Sequence, residues 1–371
     1  MSSGKVRVAV IGCGVIGKNH IKRYNDIEGA ELVAVCDLDG DEARRVAGEH
    51  GVAEACTDYR ELLDREDIAA VDVCLHNQFH APVSIAAMRA GKDVYCEKPI
   101  AGTYADGRAM LDAAQQTGRK VHIQIASIFG APAQAARRAI EAGELGEIYH
   151  ARAYVNLGRT RPFVDGKNTA QFVRKATAAG GALIDWGIYV ICPMLYLMGN
   201  PRPLRITGQT YDKVPMDPQL RAQAKYDVEE LGAGFVHFDT GATLDICAAW
   251  AMHSTVKIPG ILAGTNAGIE LSPMPGKAQA PKLISTITDP WTNRELDVEG
   301  LQKQWDEAGL GDAYASPQHH WVRVLQGRVP LEPTAQTALN MMLIAEGIYR
   351  SAAEQREVRA EEIIVAAQRS L

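Results

Sequence analysis

Three stretches of this sequence hold residues whose types and spacing could do chemistry. Residues 181 to 189, GALIDWGIY, put Asp185 and Tyr189 four apart in a run that is otherwise almost wholly apolar. Four residues apart on a helix is one face, so a carboxylate and a phenol there can handle protons together. The alternative is a core tyrosine hydrogen-bonded to an aspartate, each satisfying the other. Residues 95 to 102, YCEKPIAG, put Glu97 and Lys98 just before a proline. Pro99 restricts Lys98 to extended backbone. At the carboxyl end of a parallel strand, where open α/β sheets bind ligands, that lysine is aimed at the cleft; the bland alternative is a solvated surface lysine.

The third stretch is GCGVIG, residues 12 to 17, which matches G-x-G-x-x-G directly after a strand and at the start of a helix. Gly12 permits the tight turn, Gly14 admits a pyrophosphate to the backbone and Gly17 lets helix and strand pack closely, with Val15 and Ile16 opening the helix between them. The helix N-terminus offers free N–H groups and partial positive charge to phosphates. Asp37 ends the second strand, 37 − 17 = 20 residues past the last glycine, where a carboxylate takes ribose hydroxyls and repels a 2′-phosphate. NAD is therefore expected in preference to NADP.

The elements that must position these groups follow from periodicity. Residues 6 to 12, 30 to 37, 69 to 75, 93 to 97 and 120 to 126 read as apolar strands alternating with helices. Gly51 and Gly91 stand where helix C-caps belong. Such alternation predicts a doubly wound parallel sheet covered on both faces, an NAD-binding domain over residues 1–127. Residues 128–371 predict an α+β domain with a large, mainly antiparallel open-faced sheet for substrate binding and oligomerisation. In it, strands at 148 to 156 and 204 to 212 join a hairpin turned at Asp239-Thr240-Gly241. Ile184, Ile188, Ile191, Leu195 and Met198 form an apolar stripe that would anchor a helix carrying Asp185 and Tyr189, with a kink expected at Pro193. Gly187 would leave room there for a ligand ring.

Composition narrows the class. Lys and Arg number 39 against 45 Asp and Glu, a net charge of −6, which argues against nucleic acid or anionic lipid as partner. No apolar run reaches the roughly 18 residues of a membrane span, and the N-terminus runs straight into a strand, so a cytoplasmic protein is expected. The seven cysteines are scattered and never form C-x-x-C; reduced thiols are expected, and no structural metal.

Together VIGCGVIGKNH, the Asn77/His80 pair in LHNQFH, EKPIAG, GGALIDWGIY and GIYRSAAEQREV resemble the Gfo/Idh/MocA oxidoreductases across nearly the whole chain. The resemblance implies a nicotinamide-dependent enzyme acting on sugars, polyols or their derivatives, built from a Rossmann domain and a C-terminal sheet commonly used for dimers or tetramers. It places the family's catalytic lysine on Lys98, its aspartate on Asp185 and its frequent histidine on Tyr189, as in the branch containing glucose-fructose oxidoreductase and dihydrodiol dehydrogenase. Leu75, His76, Asn77, His80, Glu97 and Lys98 then border the cofactor, His76 replacing the family's usual proline. Arg159, Arg161 and Asp165 in GRTRPFVDG, with Trp186, become candidates for sugar hydroxyls. CLHNQFH and GRTRPFVDG are similar to a subgroup oxidising glycosides at carbon 3. Ala126–Phe129 stand where the family often has an arginine. Other readings are an inositol or polyol dehydrogenase, a glycosidase that oxidises carbon 3 transiently with bound NAD, and a non-catalytic NAD or sugar sensor. In a dehydrogenase the hydroxyl proton needs a base, which could be Tyr189, its phenolate stabilised by the Lys98 ammonium, or Lys98 itself.

Overall fold

The computed structural model describes residues 4–166, 168–272, 279–287 and 290–370; residues 1–3 and 371, included in the expected domain limits, lie outside the described residues. The strands β1 (Val6–Ile11), β2 (Ala30–Cys36), β3 (Glu54–Cys56), β4 (Ala70–Val73), β5 (Asp93–Cys96) and β6 (Val121–Ile123) are linked through helices α1 (Val15–Asn25), α2 (Gly40–His50), α3 (Arg60–Leu63), α4 (Asn77–Arg89) and α5 (Tyr104–Thr117). They form one sheet in the order β3-β2-β1-β4-β5-β6, parallel at every pairing. Val8, Ala9, Val10, Val71 and Val73 are wholly buried, as strands covered on both faces must be. The three-residue edge strand β3 has too little pattern to be read from sequence.

Residues from Ala131 onward fold differently. Strands β7 (Ile148–Asn156), β8 (Pro203–Tyr211), β9 (Leu231–Phe238), β10 (Thr243–Ala249), β11 (Gly260–Gly264), β12 (Gly268–Leu271), β13 (Lys282–Ser285), β14 (Thr292–Glu295) and β15 (Val358–Arg359) make a nine-stranded sheet in the order β14-β13-β12-β11-β7-β10-β9-β8-β15. Only β7 and β10 pair in parallel among them, so the sheet is mixed and mostly antiparallel. Its helices are α6 (Ala131–Glu141), α7 (Lys175–Ala178), α8 (Ala182–Asp185), α9 (Ile188–Leu197), α10 (Pro218–Ala224), α11 (Val298–Glu307), α13 (Thr334–Glu354) and α14 (Ala360–Ser370), while α12 (Pro317–Leu325) returns to the first sheet. The β9–β10 hairpin turns at the expected residues, with Gly241 at φ +86, where glycine avoids the cost of a Cβ.

One face of this sheet is buried and the other half-buried. Along β7, Ala151, Ala153 and Val155 point into the core while His150, Arg152 and Tyr154 alternate with them outward. The outward side continues through Asp245, Cys247, Phe235 and His237, where Arg152 pairs with Asp245 at 2.7 Å and the Phe235 ring lies 6.3 Å from His150 and 5.3 Å from His237.

The division of the chain differs from a single cut at residue 127. One compact unit comprises residues 1–102, 106–124 and 312–335, and the other 103–105, 125–311 and 336–371. The returning segment belongs to the first unit because its apolar side completes that unit's core. Trp321, fully buried, lies 5.8 Å from His122 and 6.1 Å from Tyr95, whose rings stack at 4.9 Å, and Val322 joins the cluster of Val8, Val10, Ile21 and Val35. All seven cysteines are free thiols. No single helix among the described residues is long and apolar enough to cross a membrane.

Truncating Trp321 removes the lid from this ring stack. Trp321→Ala is expected to lower unfolding free energy by about 3–5 kcal/mol, measured by urea denaturation; a loss below roughly 1 kcal/mol would show that residues 312–335 are an appendage to the first unit.

Candidate functional site

The glycine turn separates into positions the fold needs and one it does not. Gly12 has φ +105, and a Cβ there would overlap the carbonyl oxygen of Cys74. A Cβ on Gly17 would overlap the carbonyl oxygen of Gly12. Gly14 is different: its φ is −67, open to any residue, and no atom lies within 4 Å of where its Cβ would stand. A gap kept open by a glycine that the backbone does not require suits a group that approaches from outside. Gly14 is also the N-cap of α1 and no side chain caps that helix; Val15 and Ile16 are exposed in its first turn. The bare N–H groups and the helix dipole suit a pyrophosphate. Asp37 stands beside them, its Oδ2 accepting the Cys13 N–H at 2.7 Å and its Oδ1 the Asp39 N–H at 3.0 Å. These residues fit a dinucleotide.

At the carboxyl edge of the sheet, Leu75 borders the Gly12 turn, His76 is the exposed N-cap of α4, and Asn77 and Lys98 are half-buried. Two other residues expected at the cofactor turn inward. His80 is fully buried with Nδ1 2.6 Å from the carbonyl oxygen of Pro99 and Nε2 3.0 Å from that of Leu75. It braces the β4–α4 turn against the segment after Lys98. Glu97 directs Oε1 to His20 Nε2 at 3.0 Å, and its Oε2 accepts the Lys98 N–H at 2.9 Å.

His20 was not singled out from the sequence, although a histidine on the buried face of the helix that follows the glycine turn was the available signal. Its Nδ1 lies 2.9 Å from Asp72 Oδ2. Burial alone would depress its pKa, but the charge of Asp72, hydrogen bonds to Asp72 and Glu97, and the charge of Glu97 raise it to about 10. Burial pushes Glu97 upward, and the His20 contacts outweigh that and hold it below the usual range. Cys74 Sγ lies 3.3 Å from both His20 Nδ1 and Asp72 Oδ1. Among the described residues His20, Asp72 and Cys74 are the one group of three close enough to hold a metal. Hydrogen bonds among them, with His20 turned on carboxylates at both nitrogens, account for that closeness.

In the second unit Asp185 and Tyr189 do not share one continuous helix. The chain bends by 60° between residues 175–185 and Ile188–Leu197, with the break at Trp186-Gly187. There the Gly187 N–H reaches back five residues to Ala182 and the Tyr189 N–H bonds Trp186. α9 continues through Pro193, so the break precedes the expected kink. A Cβ on Gly187 would overlap the Leu183 carbonyl oxygen; that glycine serves the bend rather than clearing space for a ligand. Ile184, Ile188, Ile191 and Leu195 are buried as the stripe implied and Met198 is half-buried.

The turn before Asp185 is held by Glu229, whose carboxylate accepts the N–H groups of Gly181 and Leu183, each at 2.9 Å, and the Tyr349 hydroxyl at 3.0 Å. Burial raises the Glu229 pKa, while the backbone donors oppose the rise. Asp185 accepts the indole N–H of buried Trp250 at 3.2 Å, and the Trp186 and Tyr189 rings lie 5.6 Å apart. The neighbouring Glu230 binds the loop of residues 158–166. Arg161 is fully buried and donates to Asp165, Glu230 and the carbonyls of Val214 and Pro215. Arg161 and Asp165 are thus internal struts of that loop, and Arg159, 65% exposed and bonded to Asp165 at 3.0 Å, faces outward. Where the family often has an arginine, Ile128 and Phe129 are buried.

Residues 6–125 match the family model described as oxidoreductase family, NAD-binding Rossmann fold, and residues 133–270 match the GFO/IDH/MocA C-terminal domain. D-glucoside 3-dehydrogenase of Escherichia coli (strain K12) is 32% identical over 261 residues, covering 68% of this chain and 72% of that protein. Inositol 2-dehydrogenase of Salmonella typhimurium is 32% identical over 154 residues, covering 40% of this chain and 46% of that protein. The fold is shared with levoglucosan dehydrogenase solved with NADH and levoglucosan (TM-score 0.79, 23% identity, 96% of this chain and 99% of that one). It is shared also with aldose-aldose oxidoreductase from Caulobacter crescentus complexed with glycerol (TM-score 0.73, 24% identity, 96% and 99%).

Gly14 offers a direct test of the dinucleotide site. Gly14→Ala is expected to leave the melting temperature within about 2 °C of the parent and to weaken NADH binding at least about tenfold, roughly 1.4 kcal/mol, by calorimetric titration. Unchanged affinity would mean that no ligand uses the gap.

Proposed function

The chain belongs to the GFO/IDH/MocA oxidoreductase family, and on that footing we propose that it is an NAD-dependent dehydrogenase oxidising a secondary hydroxyl of a sugar, at carbon 3 of a glycoside. The observation that carries the substrate class is the reach of the match to D-glucoside 3-dehydrogenase, which takes in 72% of that protein, whereas the match to inositol 2-dehydrogenase takes in 46%. Asp37 supports NAD over NADP, because its carboxylate sits beside the turn and repels a 2′-phosphate.

NAD, when bound, would supply the hydride acceptor. Tyr189 takes the hydroxyl proton as general base and returns it in the reverse direction. Lys98 polarises the hydroxyl oxygen and stabilises developing negative charge. Asp185, oriented by the Trp250 indole N–H, orients the sugar, and Arg159, the outward cation of its loop, contacts ring hydroxyls or the aglycone. Arg161 and Asp165 act by shaping that loop. The half-buried outer face of the nine-stranded sheet, with Phe235, Tyr154 and His237, is where a second copy docks, giving a homodimer or tetramer.

NADH absorbance with NAD and a panel of inositols, free aldoses and alkyl or aryl glucosides, with product analysis for a keto-sugar, tests this reading. NADH and a 3-keto-glucoside are expected, and Tyr189→Phe should lower kcat about 10²–10⁴-fold. Aglycone release without NADH would replace the dehydrogenase by a glycosidase with transient oxidation. NADH from inositols alone would move the substrate class, and silence in every channel would favour a sensor. For assembly, Phe235→Glu should yield a smaller species by light scattering than the parent; equal masses would place the interface elsewhere.

A further inference from the structure

The buried group on α1 that the proposed chemistry leaves unused is His20. It sits three residues past Gly17, on the helix whose N-terminus faces the dinucleotide, and reaches across the sheet to β4 and the end of β5. Asp72 is fully buried, and the Glu97 side chain is 12% exposed. Two anionic carboxylates this close in a dry interior would repel, and a neutral imidazole could donate to only one of them. Ring protons on both nitrogens satisfy both carboxylates at 2.9 and 3.0 Å. Glu97, held through Oε1, uses Oε2 to fix the N–H of the next residue, Lys98, at 2.9 Å.

We propose that His20 is a positioning residue: as an imidazolium clamped between Asp72 and Glu97 it keeps Glu97 ionised, and Glu97 holds the backbone from which Lys98 projects, tying the dinucleotide helix to the reacting lysine. This inference rests on the role assigned above to Lys98.

The groups facing His20 are few. Asp72 and Cys74 approach from β4, and Glu97 and the edge of the Tyr95 ring, 5.7 Å away, from β5. On α1 itself, buried Tyr24 has its pKa raised by burial and then by the charge of Asp72. Both Tyr95 and Cys74 are likewise shifted upward, first by burial, so the phenols and the thiol stay neutral beside the two carboxylates. The sign follows: His20 is raised from 6.5 to about 10, so the clamp contributes in full below the lower value and is lost as pH rises through the upper one. Removing the cation leaves Glu97 buried beside Asp72, and its own pKa must climb.

Two measurements test the clamp. In the parent protein with NADH bound, the carbon-13 shift of the His20 imidazole, assigned by its loss in His20→Gln, should report the charged ring until pH approaches 10. A ring that titrates at roughly the unperturbed 6.5 overturns the proposal without any substrate or any variant that must turn over. For activity, His20→Gln should lower kcat for the glucoside about tenfold with KM changed less than about threefold, and should create an acid limb in the kcat profile as Glu97 takes up a proton. His20→Gln/Glu97→Gln should lack that limb. A merely structural histidine would change melting temperature without a new limb, and that result overturns the role. If the parent oxidises no glucoside, the functional reading falls, and the imidazole titration still decides the clamp.

Discussion

The carbonyl oxygen of Gly12 occupies the place where residue 17 would carry a side chain. That contact forces α1 to run close against β1, and much else in the first unit depends on it. It aims an uncapped helix N-terminus at the gap beside Gly14, and it lowers the buried face of α1 onto β4 and β5, where His20 meets Asp72 and Glu97. Any side chain at 17 would lift the helix, so the placement of its bare N-terminus and the contacts of His20 share one steric origin.

The second unit relies on a pair of adjacent carboxylates instead. Glu229 and Glu230, just before β9, bind different segments. Glu229 receives the backbone of the turn leading to Asp185, while Glu230 receives Arg161 and the N–H groups of Lys213 and Val214. Two segments far apart in sequence are thereby held by adjacent residues just before β9. Buried carboxylates are costly unless their lone pairs are filled, and here backbone donors, a phenol and a guanidinium fill them.

Sequence was most informative where the signal is local. Apolar runs gave β1, β2, β4, β5 and β7 their places, and the glycine spacing located the turn, because each depends on neighbours a few residues away. It failed where partners are distant or where backbone geometry overrides side-chain pattern. Ile184, Ile188 and Ile191 keep helical spacing straight through Trp186-Gly187, so nothing in residue type revealed the bend that separates Asp185 from Tyr189. Arg161 reads as a loop cation because Glu230 lies 69 residues away. Glu97 was placed at the cofactor for the same reason, its partner being His20, 77 residues away. The roles assigned to Lys98, Asp185 and Tyr189 come from family resemblance, since neither periodicity nor burial says which polar group reacts.

The return of residues 312–335 to the first unit bears on how the protein is made. Its parallel sheet is complete in sequence by Ile123, yet Trp321, which packs against the Tyr95 and His122 rings, follows only about 200 residues later. At the roughly 5–20 residues per second of translation, that is an interval of about 10–40 s. Through it, the nascent first unit lacks the indole that packs against these two rings. Chaperone holdases have that interval in which to act, and rare-codon pauses between the two stretches would lengthen it. The order of synthesis and the order of packing therefore differ in this chain, because the first unit to appear receives its last core segment after most of the second has been made.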